Sequence, residues 1–234
     1  MVRSNDDWER IGKSPLTMAY LSELYWLARD SVETCERVFS AAMAPPPEKS
    51  YIKVDHHLHG EIYRILNNAA RLRALVNVRS KRYGQSAGQF AVQESRIRWL
   101  LDLIGDLPMA AISQAKVRNS LEHYDEYLDE AALKSSRGEL DRPTLFPIDM
   151  TLGRDGTLDQ FTSGVVYPLR VYLAEERIFV NCGQRISLGD VFDECVGIRD
   201  RLAELAPQVL QDDDVSSHER GSSMIVVTDS SFGG

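Results

Sequence analysis

Residues 116–128 read KVRNSLEHYDEYL, a charged segment in which Val117, Leu121, Tyr124, Leu128 and, just beyond, Ala131 recur at helical spacing. The stripe predicts an amphipathic helix from about Met109 to Lys134, preceded by Gly105 and Pro108 as stop signals of the element before it. Working back along the chain, Ile97, Leu100, Leu101 and Ile104 mark a shorter helix, reached through the polar loop KRYGQSAGQ that starts at Lys81. Before that loop, Leu58, Ile62, Ile65, Ala69, Leu72 and Val76 form the seam of a long helix. Earlier still, Ser14-Pro15 reads as an N-cap with proline at the first helical position, and Leu21, Tyr25, Ala28, Val32, Cys35, Phe39 and Ala42 line a helix that ends at Pro45-Pro46-Pro47.

Working forward, the period shortens. Phe146, Ile148, Met150 and Leu152 alternate before an Arg154-Asp155-Gly156 turn that signals a hairpin, and Leu169, Val171 and Leu173 are set to face Ile178, Val180 and Cys182 in a second one. Ser187 and Asp190 read as the cap of a last helix striped by Val191, Cys195, Ile198, Leu202, Leu205 and Val209. The expectation is a mainly α protein, an antiparallel bundle of four to five helices with a small β-hairpin element inserted at about 144–186, before the last helix. Residues 1–13 read as an N-terminal extension, 14–210 as one domain and 211–234 as a flexible tail, with the apolar island Met224–Thr228 inside it.

Composition narrows the class. The 234 residues are 43% hydrophobic and 26% charged, enough to bury a core. No apolar run reaches membrane-spanning length and the first residues lack a signal-peptide core, so the expected location is the cytoplasm, with no membrane partner. Cys35, Cys182 and Cys195 are widely separated and read as buried small hydrophobes. The net charge of −8 conceals a basic segment from Arg64 to Arg98, which carries net +7 and leaves −15 to the remainder. Arg71, Arg79, Lys81, Arg82 and Arg96 are its candidate contacts to a phosphate backbone, and Tyr63, Tyr83, Phe90 and Trp99 among them are candidate base-stacking or core residues. The same arginines also suit a solvated helix surface.

Chemistry concentrates in the first stretch quoted. Arginine holds a phosphate and histidine moves a proton near neutral pH, so Arg118 and His123 form a candidate metal-free phosphodiester-cleaving pair, with Asn119 able to bind the phosphate or orient the imidazole. On one helix, residues five apart differ by roughly 140° in azimuth and about 7.5 Å in rise. Either the long arginine swings across, or each residue works with its copy in a second subunit. Two features oppose a nuclease: Arg118 and Glu122 suit an ordinary i,i+4 ion pair, and Glu122, Asp125, Glu126, Asp129 and Glu130 crowd negative charge beside the histidine.

The segment Arg118-Asn119-Ser120-Leu121-Glu122-His123, set in a late helix of a bundle, resembles the signature of the HEPN superfamily: an arginine, a polar residue, and a histidine four to six positions on. The resemblance spans about residues 15–135 and the final helix, leaving the β element outside. It implies a metal-independent endoribonuclease acting on single-stranded RNA, toxin-like or defence-associated, with a composite Arg118, Asn119 and His123 site across a homodimer and no cofactor. A non-catalytic interaction module binding a protein partner is the competing expectation. His56, His57 and His59 form a second cluster in DHHLHGE, with His57 opposite Glu61. They suit metal binding, capping, or supply of a second proton-transfer group if their helix end borders the Arg118 site.

Overall fold

The computed structural model describes residues 15–46, 49–77, 83–114, 122–139, 144–160 and 165–205. Expectations for the N-terminal extension, the Ser14 cap and the tail from 211, including Met224–Thr228, lie outside them.

Helix α1 (Pro15–Ala41) and helix α2 (His56–Val76) pack along each other and bury the stripes read from the sequence, with Ala28, Cys35, Ile62, Ile65 and Leu72 at 0% exposure. Three ion pairs order them: Glu23 with Arg71, Asp30 with Arg64, and Arg37 with Glu61 at 2.8 Å. The partner numbers fall as the α1 numbers rise, so the helices are antiparallel. Helix α3 (Ala87–Ile104) starts at a capping box, where the Gln89 backbone N–H donates to Ser86 Oγ and the Gln89 side chain accepts from the Ser86 N–H. It buries Ile97, Leu100 and Ile104, while Leu101 of the expected stripe faces out at 38%. Gly105 closes it at φ +68°.

The fourth helix differs from expectation. Ala110–Ser113 form a turn, and α4 spans Tyr124–Ser136 with His123 as its N-cap at φ −115°. The turn is tied to the last helix by a buried carboxylate. The backbone N–H groups of Ala111 and Ile112 donate to the two carboxylate oxygens of Glu194, each at 2.8 Å, and Glu194 is 6% exposed on the last helix. Helix α4 buries only Ala131 and rests with Tyr124, Tyr127 and Leu128 on Leu169 and Cys182, apart from the core shared by the other helices.

The β structure exceeds a hairpin insertion. Strands β1 (Ile52–Val54), β3 (Met150–Leu152), β5 (Arg170–Leu173), β6 (Ile178–Asn181) and β7 (Gln184–Ser187) form a five-stranded sheet in the order β1-β3-β5-β6-β7. Its first strand comes from the connection between α1 and α2, far from 144–186 in sequence. The turn at Arg154–Gly156 makes no hairpin; β3 pairs antiparallel with β1 and parallel with β5, and residues 157–160 form a 3₁₀ turn. The β5–β6 pair is antiparallel, with Val171 opposite Val180 and Leu173 opposite Ile178. A separate parallel pair joins β2 (Thr144–Leu145) to β4 (Val165–Val166).

Alternation divides the sheet between two cores. Tyr172 and Phe179, both 0% exposed, and Ile186 enter the helical core, whereas Leu152, Val171, Leu173 and Val180 meet Leu158 on the other face. Helix α5 (Leu188–Leu205) completes the first core, its start capped by Ser187 Oγ accepting from the Asp190 N–H. Leu205, expected inside, is 45% exposed. All three cysteines are free and buried.

Gly153 lies where β3 crosses the chain at Tyr51, donating its N–H to the Tyr51 carbonyl at 2.9 Å. A Cβ there would stand 2.8 Å from Ser50 Oγ, 2.9 Å from Pro45 Cγ and 3.0 Å from the Tyr51 nitrogen. Gly153→Ala is expected to lower stability by about 1–3 kcal/mol through overpacking. Gly60→Ala, with nothing within 4 Å of the new methyl, serves as the control in the same urea titration.

Candidate active site

Asp149 is the centre of a polar cluster between the start of α2, the sheet and α4. It precedes β3 with φ +52°, a left-handed conformation that aspartate adopts more readily than most residues, and it is 8% exposed. Its carbonyl accepts from the Asp55 N–H at 3.3 Å, tying it to the N-cap of α2, where Asp55 Oδ1 accepts from the Leu58 N–H.

Three side chains converge on it, and two tyrosines meet one of the three. His56 Nδ1 lies 2.8 Å from Asp149 Oδ2, and Arg170 Nη2 donates to the same oxygen at 3.1 Å. Arg170 Nε stands 2.9 Å from Asp149 Oδ1, an ion-pair distance without hydrogen-bond alignment. Arg170 Nη1 donates to the Tyr63 hydroxyl at 3.1 Å, and the guanidinium lies 5.0 Å from the centre of the Tyr124 ring. His59, 1% exposed, has Nε2 3.2 Å from the Met150 carbonyl and Nδ1 3.9 Å from Asp149 Oδ1.

These contacts fix the proton inventory. A carboxylate and a carbonyl only accept, so His56 donates through Nδ1 and His59 through Nε2. The neutral His56 ring then keeps its basic lone pair on Nε2, and its side chain is 75% exposed. Burial holds His59 below the ordinary histidine value, against the opposing pull of Asp149. Burial opposes the charge on Arg170, but the Tyr63 hydrogen bond and Asp149 outweigh it and raise its pKa. Burial raises Tyr63 and Tyr124, which keeps both phenols protonated. The arrangement is an oriented, accessible base backed by a buried carboxylate and a permanent cation.

Of the residues singled out from the sequence, His123 immediately precedes Tyr124 of this cluster in the chain, and its Nδ1 lies 3.3 Å from Glu126. It occupies the N-cap position of α4, without a side-chain hydrogen bond to the helix start. Arg118, Asn119, Arg79, Lys81 and Arg82 lie outside the described residues. Arg71 is paired with Glu23, and Arg96 lies 5.3 Å from the Tyr20 ring centre and donates to the Ala74 carbonyl, so both cations are committed within the protein. Trp99 packs against the helical core and Tyr83 is fully exposed.

Glu61 accepts from Arg37, which takes it away from the imagined His57 pairing. Among the described residues, no group of three histidine, cysteine or acidic side chains is placed to hold a metal. Asp149 and Arg170 carry no sequence signal of their own. They stand in strand-like segments at the phase opposite the apolar alternation, where polar residues ordinarily meet water.

The chain matches no family model, no curated protein and no solved structure.

Because His59 is harder to protonate folded than unfolded, the unfolded chain binds more protons from the unfolded value of about 6.5 down to the lower folded one. Its contribution to stability is fully present above that window and is lost as the pH falls through it. Urea midpoints of wild type and His59→Gln between pH 7.5 and 5 are expected to diverge, the wild type losing more; parallel curves would count against this account.

Proposed function

We propose that the chain cleaves single-stranded RNA without a metal, using two histidines for proton transfer: His56, oriented by Asp149, and His123 at the start of α4. The observation that carries the reading is the His56–Asp149 pair, a carboxylate 8% exposed holding Nδ1 of an imidazole that is 75% exposed as a side chain. Tyr124 against Arg170 supports it further, because that contact brings the N-terminal end of α4 to the same cluster. In this mechanism His56 Nε2 accepts the proton of a ribose 2′-hydroxyl while the oxygen attacks phosphorus. His123 in its protonated form donates to the departing 5′-oxygen, leaving a 2′,3′-cyclic phosphate. Arg118, five residues before His123, offsets the charge developing on the phosphate, and Asn119 hydrogen-bonds its oxygens. The HEPN resemblance extends this to a toxin-like or defence-associated enzyme whose composite site is shared across a homodimer.

The second reading is a protein-binding module, favoured by the exposed carboxylates of Asp125, Glu126, Asp129 and Glu130 on α4. Only Glu130 has a lysine partner among the described residues, Lys134 at 2.6 Å.

Incubation of a mixed single-stranded RNA pool in EDTA distinguishes the two. Wild type should yield cyclic-phosphate ends, and His56→Ala, His123→Ala and Arg118→Ala should each lower the rate about 10²–10⁴-fold with far-ultraviolet circular dichroism unchanged. Full activity in folded His56→Ala would remove His56 from the mechanism. No cleavage by folded wild type would leave the protein-binding reading.

A further inference from the structure

The sheet face turned away from the helices carries a cavity whose lining shares no residue with the histidine cluster. The cavity, of about 250 Å³, has Leu152, Val171, Leu173 and Val180 as its floor and Leu158 and Val166 as walls. Three charged residues, Asp155, Asp159 and Arg185, stand at its rim. Arg185 Nη2 donates to Asp155 Oδ2 at 2.9 Å, so those two charges offset each other. Among the described residues no side chain pairs with the Asp159 carboxylate, so the described rim carries one more negative charge than positive.

The loop presenting these carboxylates is braced at several points. Ser50 Oγ and Thr157 Oγ1 are 2.6 Å apart, Thr157 Oγ1 donates to the Arg154 carbonyl at 2.6 Å, and Arg154 Nη2 donates to the Pro46 carbonyl at 2.8 Å. The Asp155 N–H donates to Glu176 Oε1 at 3.0 Å. Gly156 takes φ +73°, and any Cβ there would lie 3.5 Å from Asp159 Oδ2. The backbone that carries Asp159 is thus braced beside the opening, with the Asp159 N–H donating to the Gly156 carbonyl at 3.1 Å, which lowers the entropic cost of ordering the loop on binding.

We propose that this cavity binds a small organic cation: an apolar, preferably flat body against the aliphatic floor and an ammonium group on Asp159. Its volume falls below the roughly 300–1,000 Å³ of pockets for drug-sized ligands, so the ligand is fragment-sized. An anion of the same shape is disfavoured by Asp159, and a neutral one lacks the charge-assisted hydrogen bond.

Tryptamine, indole and indole-3-acetate share a ring and differ in charge, which makes them suitable probes for the full-length chain with methyl-labelled valine and leucine. Tryptamine at millimolar concentration is expected to shift the methyl resonances of Val171, Val180 and Leu173, with indole weaker and indole-3-acetate weakest. Asp159→Asn should weaken tryptamine binding roughly tenfold, the loss of one charge-assisted contact at a partly wet rim. Val166→Phe, filling the cavity from a half-buried position, should abolish binding while the thermal midpoint stays near wild type. The proposal is overturned if tryptamine leaves these methyls unmoved, if the anion binds as tightly as the cation, or if Asp159→Asn binds like wild type. A folded Val166→Phe with unchanged affinity overturns it as well.

Discussion

The ion pair between Asp149 and Arg170 is the constraint on which the arrangement of helices and sheet depends. Both residues stand at the N-terminal ends of neighbouring parallel strands, where side chains on one phase point toward α2. A carboxylate and a guanidinium so enclosed need partners on every side, because each uncompensated charge in a low-dielectric setting is costly. The partners come from elements far apart in the chain: His56, His59 and Tyr63 from α2, and the Tyr124 ring from α4. Removing either charge would strand the other, so the pair couples the position of α2 to that of α4.

That coupling explains why a residue as exposed as His56 has a defined tautomer. An imidazole on a helix N-terminus ordinarily turns freely and divides its proton between two nitrogens. Here Asp149 cannot rotate away, since its left-handed backbone and Arg170 fix its carboxylate. The lone pair of neutral His56 is consequently directed outward from Nε2. His59 reaches the same carboxylate from the buried side, with Nε2 taken by Met150 and an unsatisfied Nδ1 toward Oδ1. One carboxylate thus meets an accessible imidazole and a buried one, and only the accessible ring can exchange protons with a substrate.

The helical stripes were legible because burial of α1, α2 and α5 is one-sided and continuous: Val32 and Cys35, Ile62 and Ile65, Cys195 and Ile198 all reach the core at helical spacing. The strand from Ile52 to Val54 was not legible. Three residues give no countable period, and Ile52 and Val54 are 40% and 57% exposed on a sheet edge, so no burial pattern marks them. The stripe through Tyr124, Leu128 and Ala131 was visible, but periodicity names a face without naming what covers it. Here the cover is Leu169 and Cys182 of the β region. The site was half legible for a related reason. Histidines advertise chemistry by type, whereas Asp149 and Arg170 become significant only when parallel pairing places their strands side by side.

The charge distribution around the site bears on what it can admit. Arg64 and Arg71 are spent on Asp30 and Glu23, and Arg96 on a tyrosine ring and a carbonyl, so these three arginines tie helix to helix. Exposed ion pairs of this kind contribute little stability each. Their stronger effect is on register, since the three pairs along α1 and α2 align only in one antiparallel setting. With Asp125, Glu126 and Asp129 exposed beyond His123, any anion nearing the cluster from the α4 side meets repulsion. On the α2 side, where His56 and His57 are exposed, Asp55 is paired with Lys53 at 2.7 Å and Glu61 with Arg37 at 2.8 Å, so these carboxylates repel an anion less.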